Sequence, residues 1–160
     1  MNVRALPGRS RAVALGALLL IAATVGPAAA QDEWRLPGLS GGAFSSSDVA
    51  SGTTIVVLWA GWSPRCQDVV ERGNRLAGKW DGRARVALVD FQEDAAEVKA
   101  FLAGKDSRAP VYLDGDGAFA KRYALANLPG LLLLRDGAVL YSGRLPDDAD
   151  RLIEDALAKR

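Results

Sequence analysis

The chain has 160 residues, with 20 Lys and Arg against 19 Asp and Glu, no His and one Cys. That charge balance gives no general attraction to nucleic acid or to anionic lipid. A single thiol without imidazole excludes an internal disulfide and leaves no ordinary donor set for zinc or copper, so neither metal nor cofactor is expected.

The first 30 residues read apart from the rest. Arg4, Arg9 and Arg11 precede an apolar stretch over residues 12–25, and Ala28-Ala29-Ala30 has the small-residue form of a signal-peptidase site. The stretch is short for a membrane span and ends in Gly26-Pro27. We read it as an export signal cut after Ala30, with a retained membrane anchor as the alternative. No adjacent arginine pair is present, which points to Sec rather than twin-arginine export. Residues 31–160 would then form one domain, periplasmic or secreted, with 17 basic against 19 acidic residues and a net charge of −2. A domain of this size can bury a core without staples.

In chain order, residues 31–44 read as an irregular entry with one short strand near 34–36, punctuated by Pro37-Gly38 and Gly41-Gly42. Residues 45–52 suit a short capped helix or turn, with Ser46 or Ser47 as cap, Asp48 near its positive end and Gly52 as its stop. Residues 55–59 are a β-branched and aromatic run short enough for a buried strand. After Ala60-Gly61-Trp62 comes Ser63-Pro64-Arg65-Cys66, then apolar residues at Val69, Val70, Leu76 and Ala77. Ser63 fits an N-cap, and Pro64 the first helical position, where its missing N–H costs nothing. The spacing predicts one helix over 64–80 with Cys66 in its first turn, near the positive end of the helix dipole.

Residues 85–91 (RVALVDF) form the next predicted strand. Asp94 then caps a helix with Ala95, Val98, Phe101 and Leu102 on its apolar face, ending at Gly104. Residues 110–113 suit a strand. Asp114-Gly115-Asp116-Gly117 is a turn rather than a calcium loop, since Leu125 stands where a bidentate acid is required. A short helix over 118–125 follows. Strands at 131–134 and 138–142 join through Asp136-Gly137, the strongest hairpin signal in the chain. A closing helix starts at Pro146-Asp147-Asp148 and buries Leu152, Ile153, Ala156 and Leu157. The order is that of an α/β domain: a parallel central pair, an antiparallel hairpin and a last helix.

A strand running into W-A-x-W-x-P-x-C at a helix start resembles the active-site segment of thioredoxin-like proteins, above all the periplasmic TlpA/ResA type with its usual W-A-x-W-C-P-P-C. Trp59, Ala60, Trp62, Pro64 and Cys66 match that pattern. Ser63 stands where the family has its attacking cysteine. Leu128-Pro129, just before an apolar strand, is similar to the place of the family's cis-proline. The resemblance runs from about Ser47 to the C-terminus and implies a thioredoxin-like fold, a central mixed β-sheet flanked by helices.

In that family the first cysteine attacks a disulfide as thiolate and the second resolves the mixed disulfide. A serine hydroxyl is not ionised near neutral pH and no His is present to act as its base. Dithiol turnover is therefore not expected, and two roles remain. In the first, the old groove binds a protein partner or client in redox-protein assembly, through Trp62, Pro64, Arg65, Leu128 and Pro129. Strand addition beside Pro129 is the mode the resemblance implies. In the second, Cys66 is a monothiol, helped by the helix dipole and Arg65, that attacks a peroxide or forms a mixed disulfide. Its S-x-x-C setting is similar to the T/S-x-x-C of peroxiredoxins, but Trp59 stands at that family's proline and Leu128-Pro129-Gly130 where its arginine belongs. Val57 occupies the place of the buried acid of thioredoxins proper. Neither reading involves nucleic acid, or a membrane once the signal is removed; both leave the oligomeric state open.

Overall fold

The computed structural model describes Met1 and residues 33–159. The expected export signal and its expected cleavage point lie outside the described residues. By backbone proximity the chain divides into Met1–Ala30 and Gln31–Arg160; the second unit is described below.

Apolar runs build its centre. β3 (Thr53–Trp59) and β4 (Arg85–Phe91) are buried on both faces over most of their length, as parallel neighbours covered by helices must be. They lie in a five-stranded sheet of order β5-β4-β3-β6-β7, with β5 at Val111–Asp114, β6 at Gly130–Arg135 and β7 at Ala138–Arg144. β3 runs parallel to β4 and antiparallel to β6. β4 runs parallel to β5, and β7 closes the other edge antiparallel to β6. This is the mixed sheet of the expected thioredoxin-like α/β fold. Asp136 and Gly137 turn β6 into β7 with φ of 50° and 79°, the left-handed pair a two-residue hairpin requires.

Alternation along the strands separates two cores. Ile55, Val57, Trp59, Leu88, Leu131 and Leu133 pack with Val69, Leu76 and Trp80, in or next to the helix α2 (Val69–Lys79), and with Ile153 of α5 (Ala149–Ala158). Val56, Leu58, Ala87, Val89, Leu132 and Leu134 pack with Phe44, Val49 and Phe119 on the other face. Helix α2 (Val69–Lys79) lies close on the sheet at Gly73, where a Cβ would stand 2.7 Å from Leu88 Cδ2.

Several boundaries differ from the sequence reading. The entry holds two strands, β1 (Arg35–Pro37) and β2 (Ala43–Ser45), paired antiparallel, rather than one. The cap of α1 (Ser46–Val49) is Ser45, whose N–H donates to Asp48 at 2.8 Å, and not Ser46 or Ser47. α3 (Ala95–Leu102) starts at Asp94 as expected. α4 (Ala118–Arg122) stops short of Leu125 because Ala124 takes a left-handed φ of 52°.

Candidate functional site around Cys66

β3 ends at Trp59, and the chain turns through Ala60 and Gly61 toward the thiol. Ser63 N–H donates to Ala60 O at 3.1 Å and Cys66 N–H to Ser63 O at 3.0 Å. Both are three-residue closures, so Pro64–Cys66 is a 3-10 turn. Four-residue spacing begins with Arg72 N–H to Asp68 O at 3.0 Å, and α2 with Val69. The single helix over 64–80 is thus two pieces, and Cys66 lies ahead of the α-helix rather than in its first turn. Ser63 also does not cap with its side chain. Its hydroxyl is bonded to the Cys66 thiol instead.

Cys66 is wholly buried. Burial raises its thiol pKa above the ordinary value; hydrogen bonds from the Ala60 backbone and the Ser63 hydroxyl oppose that rise without cancelling it. Asp68 adds to the rise, and Arg72 opposes it from α2. Above the buried pair Ser63 and Cys66, the side chains of Trp62, Pro64 and Arg65 face solvent, Trp62 with 61% of its surface exposed.

The register of β3 with β6 sets Gly130 opposite Leu58, which brings Pro129 level with Trp59. The Leu128–Pro129 peptide is cis. Pro129 itself is buried, and its carbonyl accepts from Leu145 N–H at 3.0 Å. Leu128 is half-buried between the two cores. No backbone hydrogen bond engages its N–H or carbonyl among the described residues. One turn therefore holds Trp62, Ser63, Pro64, Arg65 and Cys66, and the start of the neighbouring strand holds Leu128 and Pro129.

Three charged residues escaped the sequence reading. Arg72 donates to the carbonyls of Leu145 and Pro146 at 3.3 and 2.6 Å, tying α2 to the segment that holds Pro129. Asp90, paired in register with Trp59, is fully buried and accepts from Glu93 N–H at 3.2 Å. Its Oδ2 and the Trp59 Nε1 have no hydrogen-bond partner among the described residues. Glu93 accepts from Gly61 N–H, inside the turn that leads to Cys66. Burial and the neighbouring Glu93 carboxylate push the Asp90 carboxyl up to about 8. A lone acid inside the apolar run RVALVDF was the available signal.

A model of the family described as Redoxin matches residues 24–157. The chain belongs to the Redoxin family. Among similar solved structures, a Chlorobium tepidum protein assigned as the thiol:disulfide interchange protein DsbE is 25% identical to this redoxin, with a TM-score of 0.67 over 79% of this chain and 92% of that one. A secreted Mycobacterium tuberculosis disulfide oxidoreductase homologous to DsbE is 19% identical, with a TM-score of 0.64 over 78% and 95%. Staphylococcus saprophyticus thioredoxin is 28% identical over 69 residues, 43% of this chain and 66% of that protein, so the match spans just under two thirds of the relative's length. The redoxin is a thioredoxin-like protein related to thiol–disulfide oxidoreductases. Among its described residues no helix is long and apolar enough to cross a membrane.

Proposed function

We propose that this redoxin has lost dithiol exchange and holds an extended protein client at the groove beside Cys66, in the assembly of exported redox proteins. Ser63 takes the place of the attacking cysteine, and Cys66 is the resolving cysteine left without its partner. The observation that carries this reading is the state of the one thiol: wholly buried, raised by that burial, and facing a hydroxyl that cannot exchange with it. Exposed Trp62 offers a client a large apolar surface with a polar tip, and the unengaged backbone of Leu128 offers it a strand to pair with. Export after cleavage at Ala30, to the periplasm or outside the cell, belongs to the same proposal.

The test uses a reduced, carboxymethylated protein as an extended client without free thiols. Binding should weaken about tenfold in Trp62→Ala, in line with an aromatic anchor. No binding by the parent, or binding indifferent to both Trp62→Ala and Leu128→Pro, would refute the client reading.

A second reading rests on the hydrogen bonds that reach Cys66. The Ala60 backbone and the Ser63 hydroxyl both stabilise a thiolate there, as a monothiol attacking a peroxide or a disulfide requires. It predicts loss of peroxide consumption in Cys66→Ser.

A further inference from the structure

The pair of buried Asp90 and half-buried Glu93 belongs to neither reading of Cys66. Asp90 Oδ1 accepts from Glu93 N–H at 3.2 Å, while Oδ2 finds no donor among the described residues although the whole residue is sealed from solvent. An ionised carboxylate left in that state is costly. A proton on Asp90 resolves it, because the acid becomes a donor and the Glu93 carboxylate is there to accept. Glu93, half-buried, also accepts from Gly61 N–H. The next peptide back, Ala60, bonds the Cys66 thiol, and its carbonyl takes Ser63 N–H. One proton therefore stands at the head of a short series: Asp90, Glu93, Gly61, the 60–63 turn, Cys66.

We propose that a proton on Asp90, directed toward Glu93, holds the 60–63 turn closed over Cys66, and that loss of this proton to solvent base releases Glu93 from Gly61 and opens the thiol. The proton leaves to the solvent base, and the turn's own bond from Ser63 N–H to Ala60 O yields as it opens. With both groups ionised, the neighbouring carboxylates repel, and the half-buried Glu93 is the one with a route to water.

The surroundings favour the proton on Asp90. Among the described residues Glu93, on the loop to α3, and Glu97, on α3, are the charges acting on Asp90, and both oppose its ionisation, against the bond from Glu93 N–H that favours it. On β3 it faces the uncharged Trp59 and on β5 Leu113. Asp114, next along β5, has both carboxylate oxygens taken by Phe119 and Ala120 N–H. Lys105, beyond α3, sits over the Phe101 ring, 3.4 Å from its centroid.

The device is independent of what the groove binds, and its test reads the turn directly. In isotope-labelled Cys66→Ala protein, which removes the thiol's own titration, the Gly61 amide proton should shift in one step centred near pH 8. Asp90→Asn keeps a donor toward Glu93 but cannot titrate, so the step should vanish and the Gly61 bond persist. If Asp90→Asn fails to fold, Glu93→Gln serves: the step at Gly61 should move down by at least about one pH unit or disappear. Stability gives a second readout. Folded Asp90 keeps a proton that the unfolded chain gives up above its ordinary 3.8, so stability should fall as pH rises from there to about 8, then level off. Asp90→Asn should flatten that slope in urea midpoints. A Gly61 amide that stays flat from about pH 6 to about pH 10, or a step unchanged in the variants, overturns the proposal, as does a wild-type urea midpoint with no such slope.

Discussion

α3 and the helical turn at Cys66 begin within one loop of each other on the sheet, and they treat their first N–H groups differently. At α3, Asp94 accepts from Ala96 and Glu97 N–H at 2.8 and 2.9 Å, and Glu97 returns a bond to Asp94 N–H at 2.9 Å. That box saturates the start with its own side chains. At the Cys66 turn no side chain caps: Ser63 gives its hydroxyl to the thiol, and Asp68, before α2, makes no side-chain cap bond. A start that only has to hold its helix closes on itself. The one beside the thiol spends its polar groups on the site and accepts a 3-10 turn in place of a full helical start.

The largest change that would break this contrast is Ser63→Cys. A second thiol three positions before Cys66 creates the C-x-x-C spacing that the proposed function takes as lost, and disulfide-reductase turnover on insulin should rise from background by at least about 100-fold. A variant that stays at background would contradict the assignment of Ser63 to the lost nucleophile. Paired alanine substitutions sharpen the contrast on a smaller scale. Asp94→Ala removes a working cap and should cost about 1 kcal/mol in urea denaturation. Ser63→Ala removes no cap, only a buried hydroxyl's weak bond to a thiol, so its cost should stay below that of Asp94→Ala. It should instead raise the Cys66 thiol further, since a bond that favours the thiolate is gone. Equal costs for the two variants would erase the distinction.

Much of the fold was legible because its elements are locally consistent. The runs at 55–59 and 85–91 are apolar enough to be central strands, Asp136-Gly137 fits the turn it makes, and Asp94 with Glu97 spells a capping box. Three consecutive serines, Ser45 to Ser47, do not say which one caps, and only the pairing of β2 with β1 settles it on Ser45. Ser63-Pro64 satisfies every local rule for an α-helical start. The rule fails because the Ser63 hydroxyl has a competing partner, a buried thiol, and Ser63 O closes on Cys66 three residues on. The motif brought the candidate residues Trp62 to Cys66 onto one turn, but it carried none of the electrostatics around them. Val57 marked a missing acid in β3, while the acid that is present comes from β4 at Asp90, opposite Trp59, and reaches the turn only through Glu93. Burial and a through-space pair decide such a group, and neither follows from spacing along the chain.

Cys66 is a sheltered, protonated thiol near neutral pH rather than an activated thiolate. Its alkylation rate at about pH 7 in the folded protein, set against the same chain unfolded in urea, tests this directly, since only the thiolate reacts and only an accessible one. The folded rate should lie at least about tenfold below the unfolded one. A folded rate equal to or above the unfolded rate, with a midpoint under the free-thiol value of about 8.5, would contradict it and make Cys66 a working monothiol nucleophile.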